Sequence, residues 1–271
     1  MSADVIFQAI VGFRLVTADP ARLAAFYGEL GFEVGQAAPI PASDMKLLGL
    51  SGAGSRIAMS LGRSRIDLES FDQSGRPYPV DTTACDLHFQ HLALVTENAE
   101  IAWRRARNAG ATPISRERPV TLPESAGGVT AVKFRDPEGH PLEIIQFPRA
   151  SNPDSKSAGI IGIDHSAISV SDIAASRRFY AHHGLSEAGV TVNHGPTQDS
   201  LDGLDGVEVD VVTMNPAQKT PHVELLGYRH PVNRTLRPQS ANDLAATRIV
   251  WRSNTDALIR DPDGHLHQLS Q

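Results

Sequence analysis

The sequence predicts an α+β protein assembled from four βαβββ units, the last lacking its helix, in two tandem halves. Three observations lead there. The phrase Arg135-Asp136-Pro137-Glu138-Gly139-His140 returns as Arg260-Asp261-Pro262-Asp263-Gly264-His265. The stretch from Ala18-Asp19-Pro20 to Phe26-Tyr27 is answered 153 residues later, from Ser171-Asp172-Ile173 to Phe179-Tyr180. A polar run with two prolines, 148–157, separates the patterned regions and divides the chain into 1–150 and 151–271. A chain that repeats both its opening and its closing phrase is a duplicated domain.

The elements follow in order. Residues 11–16 read as an apolar strand; Asp19 then caps a helix with Pro20 in its first turn, and the helix stops near Gly31. Strands are expected over 32–34, 56–61 and 65–71. The second unit repeats the order: strand 90–95, helix 99–109 ended by Gly110, and strands 129–134 and 141–147 joined by the Asp-Pro-Glu-Gly-His turn. The third reads as strand 163–170, a helix to Gly184, and strands 207–214 and 222–228. Between them, 191–206 with His194 reads as an irregular stretch, either a plain connector or the lining of a pocket mouth. The fourth unit has strands 247–251 and 257–260 with no room for a helix, then the final hairpin. In Asp-Pro-x-Gly-His, proline presets φ and glycine takes the left-handed position, so His140 and His265 read as turn or surface residues. His182-His183 reads as a solvated helix end, 121–128 as a lid or a connector, and Phe89, Phe134, Tyr228 and Trp251 as core.

Composition excludes some classes of function. The chain has 271 residues, 41% hydrophobic and 21% charged, which suits a globular protein with full cores. With 25 basic against 31 acidic residues, net charge −6 and no basic stripe, nucleic acid is not an expected partner. No apolar run reaches the length of a membrane span and the N-terminus lacks a signal pattern. The single cysteine, Cys85, precludes an internal disulfide framework and suits a reducing compartment. A cytoplasmic monomer or homodimer acting on a small molecule is the expectation.

Paired βαβββ units whose opening ends in Phe-Tyr and whose close reads Asp-Pro-x-Gly-His resemble the vicinal oxygen chelate superfamily. That superfamily includes glyoxalase I, methylmalonyl-CoA epimerase, extradiol dioxygenases, fosfomycin-resistance enzymes and bleomycin-binding proteins. The resemblance covers nearly the whole chain. It implies two tandem glyoxalase-like domains whose curled mixed sheets form cups, with a divalent metal in a cup. One ligand would come from the first strand of a unit and one from its last. One scaffold hosts many chemistries, so the resemblance speaks to fold before reaction.

That implication can be tested unit by unit through the repeat register. The second unit offers His91 and Glu143, and the third offers His165 and Glu224. The first offers Gly12 and Asp67; the fourth offers Gln268 and nothing usable in 247–251, since Arg248 stays cationic. Pairing within each half leaves both cups half-empty. Pairing the second unit with the third collects His91, Glu143, His165 and Glu224 in one cup. Mixed nitrogen and oxygen ligation suits Zn, Ni, Co, Mn or Fe(II) without choosing between them. A lone histidine on an apolar strand is more often a core residue. Two at one register, each matched by a glutamate at a second, make a ligand set, because four buried ionisable groups otherwise carry a large desolvation penalty.

Three functions stay open. The first is glyoxalase-like lyase or isomerase chemistry, with Glu143 or Glu224 as the proton-shuttling base. The second is extradiol-type ring cleavage; the usual two-histidine, one-glutamate triad of the last two units is missing here. The third is non-catalytic sequestration of a small molecule such as an antibiotic.

Overall fold

A computed structural model describes residues 5–116, 118–148, 159–232 and 240–271. The first unit contains β1 (Ala9–Val16), α1 (Pro20–Glu29), β2 (Glu33–Pro39), α2 (Ala42–Leu47), β3 (Gly54–Leu61) and β4 (Ser64–Phe71). The second contains β5 (Gln90–Thr96), α3 (Ala99–Asn108), β6 (Thr112–Pro113), β7 (Val120–Thr121), β8 (Thr130–Arg135) and β9 (Pro141–Gln146). The third contains β10 (Ile160–Ser169), α4 (Ile173–His182), β11 (Ser186–His194), α5 (Pro196–Asp202), β12 (Glu208–Asn215) and β13 (His222–His230). The fourth has β14 (Arg248–Arg252), β15 (Ala257–Arg260) and β16 (Leu266–Ser270), with no helix among its described residues. Asp19, Asn98 and Asp172 start their helices alike, each side chain accepting from the amide three residues on.

Two open mixed sheets result, and each draws strands from both halves of the chain. One runs β15-β16-β14-β1-β4-β3-β2, joining the first and fourth units. The other runs β11-β12-β13-β10-β5-β9-β8-β6, with β7 on β8, joining the second and third. The seams are the antiparallel pairs β1–β14 and β5–β10. Most of the expected boundary, from 149 to 157, lies outside the described residues.

The two repeated phrases meet in space. Tyr27, from the end of α1, donates its hydroxyl to Asp136, and Tyr180, from α4, does the same to Asp261. The His140 ring bonds the carbonyl of Val16 at 2.9 Å, and the His265 ring bonds that of Ser169 at 3.0 Å. Glu138 accepts from the amides of Ala18 and Asp19, and Asp263 from that of Ser171. Each turn therefore clips one sheet to the strand–helix corner of the other. His140 and His265 keep the expected turn role but are buried, because the corner they clip covers them.

Other departures have local causes. Residues 186–194 form β11 and 196–202 form α5, so most of the 191–206 stretch expected to be irregular is regular. As a sheet-edge strand β11 buries neither face fully: Thr191 and Asn193 turn to the cavity while Val190 and Val192 are exposed, so its apolar residues do not mark a core face. Gly195, at φ 89°, and Pro196 then start the helix. The short α2 was not anticipated either. His183 is buried rather than solvated, stacked on Phe7 at 4.5 Å with its ring bonded to the carbonyl of Val5. Phe89, Phe134 and Trp251 lie in the core.

Candidate metal centre

The β5–β10 seam sets the site. Across it Ala167 faces His91 and His165 faces Ala93, so the two histidines sit diagonally on one face. Parallel neighbours complete the set: Ala93 pairs with Glu143 on β9, and Ala167 pairs with Glu224 on β13. Strand alternation sends Leu92, Leu94 and Ile168 the other way, into the main core with α3. All four expected ligand residues are thereby brought to one place.

Their atoms converge. Glu143 Oε2 lies 3.3 Å from His91 Nε2 and 3.6 Å from His165 Nε2. Glu224 Oε2 lies 3.5 Å from His165 Nε2. The imidazole centroids of His91 and His165 are 5.6 Å apart. His91, Glu143 and His165 are buried, whereas the Glu224 side chain keeps 22% exposure.

The polar atoms are not satisfied by one another. Neither ring nitrogen of His91 has a hydrogen-bond partner, and neither does His165 Nε2. The other nitrogen of His165 meets Asp164 Oδ2 at 2.9 Å, which orients the ring and turns Nε2 toward the carboxylates. Burial lowers the pKa of His91 against the pull of Glu143, favouring the neutral ring that a metal needs. Burial works against charge on Glu143 too, but the imidazoles of His165 and His91 hold it well below the usual carboxylate range. Glu224 is likewise held down to about 2, with His165 and His222 overcoming its burial. His165 is pushed well up: Glu224, Asp164 and Glu143 outweigh burial. Buried nitrogens without partners, facing two ionised carboxylates, fit a divalent cation, and they fit poorly with a sealed polar core.

The site has members that sequence reasoning missed. His222 pairs in register with His165, its ring 5.3 Å away, and its Nε2 is 3.6 Å from Glu224 Oε1. The available signal was alternation, since His222 and Glu224 are two apart on one strand. Asp164 could have been found only through the His165 ring. A cavity of about 260 Å³ opens onto the cluster. Leu122, Ala126 and Gly127 from the 121–128 loop line it, as do Asn193, Gln198 and Leu201 from β11 and α5. His194 is not among its lining residues. Tyr228, expected in the core, is buried and also forms part of the cavity wall.

The model of the Glyoxalase/Bleomycin resistance protein/Dioxygenase superfamily matches residues 9–144, half of the chain. The chain belongs to this superfamily. Glyoxalase I from Zea mays has a similar fold, with a TM-score of 0.58 at 14% identity over 97% of this chain and 92% of that one. A Bacillus subtilis protein described as a candidate dioxygenase gives 0.56 at 14% identity, over 97% and 85%. At such identities the likeness concerns the fold. No curated protein matches the chain.

The other cup of this glyoxalase-superfamily chain holds arginine at the register of His91 and glycine at that of His165. Arg14 pairs with both Arg248 and Asp67, as Ala167 pairs with both His91 and Glu224. Gly12 faces Val250 as His165 faces Ala93, and Val250 faces Gln268 as Ala93 faces Glu143. Arg248 thus stands at the register of His91, fully buried against Glu69. Arg56 bonds Asp44 and Glu69 at 2.6 and 2.7 Å, and Arg65 bonds Asp67 at 2.7 Å. A side chain at Gly12 would crowd Arg65, whose backbone and Cβ lie 3.2–3.3 Å from a Cβ built there. Guanidinium groups supply the cations of this cup.

Proposed function

We propose that the chain is a metal-dependent enzyme that moves a proton on a small substrate chelating through adjacent oxygens. The observation behind this is the convergence of unpartnered imidazole nitrogens on Glu143 at a small cavity. His91, Glu143, His165 and Glu224 would hold the ion. When bound, the ion supplies Lewis acidity to paired oxygens of a substrate and makes the neighbouring C–H easier to ionise. Glu224 is the carboxylate better placed to leave the ion and act as base: its side chain keeps some exposure, and His222 lies beside Oε1. Glu143, enclosed between two rings, holds its negative charge in place. Asp164 fixes the tautomer of His165. Leu122, Val129, Ile145 and Phe147 in the wall exclude water and strengthen each electrostatic contact.

A second reading draws on the subset His91, Glu143 and His165, a two-histidine, one-carboxylate group of the kind used with Fe(II) and oxygen. It comes from the second and third units, not the last two. The test is to strip the protein with chelator, restore it with Zn, Ni, Co, Mn or Fe(II), and follow two reactions. Solvent deuterium exchange into α-hydroxycarbonyl compounds, dependent on metal, is expected. Oxygen uptake with catechols, only with Fe(II), selects the second reading. Metal retention without either reaction leaves binding as the function.

A further inference from the structure

The cavity wall holds a second polar group that the metal centre does not use. Lys133 is the cross-strand neighbour of Glu143, and its Nζ bonds Asp202 Oδ1 at 2.6 Å. Asp202 also accepts from Gln198 Nε2 at 2.8 Å and from the Tyr228 hydroxyl at 3.0 Å. Lys133, Gln198 and Tyr228 all line the cavity. Lys133, Gln198 and Asp202 are each more than nine-tenths buried.

One atom of this group is left over. Gln198 Oε1 is buried and has no hydrogen-bond partner. The amide cannot be turned round to cure this, because its other end faces the Asp202 carboxylate, which accepts from Lys133 and Tyr228 as well. The Tyr228 proton is spent on the same carboxylate, so its oxygen also offers only lone pairs. The charge of Lys133 is matched by Asp202. What Gln198 Oε1 lacks is a donor. A buried carbonyl without one is unfavourable until something supplies it.

We propose that Gln198 determines specificity by accepting a hydrogen bond from a hydroxyl or N–H group on the substrate, away from its chelating oxygens. The proposal rests on the metal-centred reading and narrows it to neutral molecules with a donor at the far end. A carboxylate or phosphate at that end would set acceptor against acceptor. The cavity, at about 260 Å³, is below the usual range for drug-sized ligands and takes a compact molecule.

Three catechols on the zinc-loaded full chain test this: 4-hydroxymethylcatechol, 4-methylcatechol and 3,4-dihydroxybenzoate. Calorimetry measures their binding, and mass spectrometry measures zinc in the same samples. The wild type is expected to bind the hydroxymethyl compound about tenfold more tightly than the methyl one, with the carboxylate weakest. Gln198→Met, similar in shape but without the acceptor, should erase that preference and leave zinc content unchanged. If Gln198→Met does not fold, Gln198→Asn draws the oxygen back by one methylene and should reduce the preference severalfold. Zinc retained with no preference in the wild type overturns the role of Gln198 alone. A preference that survives in the variant does the same. Tightest binding of the carboxylate shows that Lys133 reads the substrate instead, and also overturns it. Failure to retain zinc overturns the metal-centred reading, and this proposal with it.

Discussion

Mild acid should weaken the fold through His267. This ring is fully buried, with Nδ1 accepting the indole N–H of Trp251 at 2.9 Å and Nε2 3.0 Å from the Tyr180 hydroxyl. Tryptophan only donates, so the proton of neutral His267 sits on Nε2 and points at Tyr180, which passes its own proton to Asp261. Burial, with the electrostatic influence of the neighbouring His265 and His183, lowers the pKa of His267 from the ordinary 6.5 to about 3. The folded state thus binds this proton less readily than the unfolded state. Stability from the neutral ring is complete above about pH 6.5 and is lost as pH falls toward about 3. At about 1.4 kcal/mol per pH unit, the full effect approaches about 5 kcal/mol, and about 2 kcal/mol of it falls between pH 7.5 and 5.0. His140, whose pKa is raised by Asp136 against its burial, contributes with the opposite sign, so the wild type alone does not isolate the term. His267→Gln does, since glutamine keeps an acceptor for Trp251 and a donor for Tyr180. Urea unfolding of both proteins at pH 7.5 and 5.0, followed by tryptophan fluorescence, should show the wild type losing about 2 kcal/mol more than the variant. Equal losses would refute a neutral buried His267.

Three further outcomes are expected. Glu143→Gln and Glu224→Gln should lower the metal-to-protein ratio by mass spectrometry, while Asp67→Asn and Gln268→Leu leave it unchanged; Asp67→Asn should still destabilise by about 1–3 kcal/mol through Arg65 and Arg14. Tyr27→Phe and Tyr180→Phe should each destabilise by about 1 kcal/mol in urea unfolding, and the double variant by about their sum. Lys133→Met strands the Asp202 carboxylate in the wall and should destabilise by about 3 kcal/mol, seen as a lower melting temperature.

The unit order was legible because caps, glycine stops and strand patterns are local, and Asp19, Asn98 and Asp172 announce their helices alone. The ligand positions were legible because duplication gives a second copy to align against. Strand β11 was hidden because it lies at a sheet edge with its apolar residues outward: Val190 and Val192 are exposed while Thr191 and Asn193 face the cavity, the reverse of the pattern that marks a core strand. Arg248 was dismissed because it cannot bind a metal, yet its charge is what suits it to the place of one. Gln198 and Asp202 could not be foreseen at all. Their meaning depends on α5 folding against Lys133 and Tyr228, from β8 and β13, and no local pattern encodes that meeting.

The crossed sheets have a consequence for how the two cups could come to differ. Neither half of the chain can finish a sheet by itself, since β1 needs β14 and β5 needs β10. Two identical copies of one half would complete each other in the same way, as a twofold pair with a cup at each seam. Symmetry would then oblige both cups to carry the same side chains, and any change to one would appear in the other. Tethered as a single polypeptide, the partners can drift separately. One seam can be given over to arginine and carboxylate as a fastening while its twin keeps the imidazoles, and neither change is copied across.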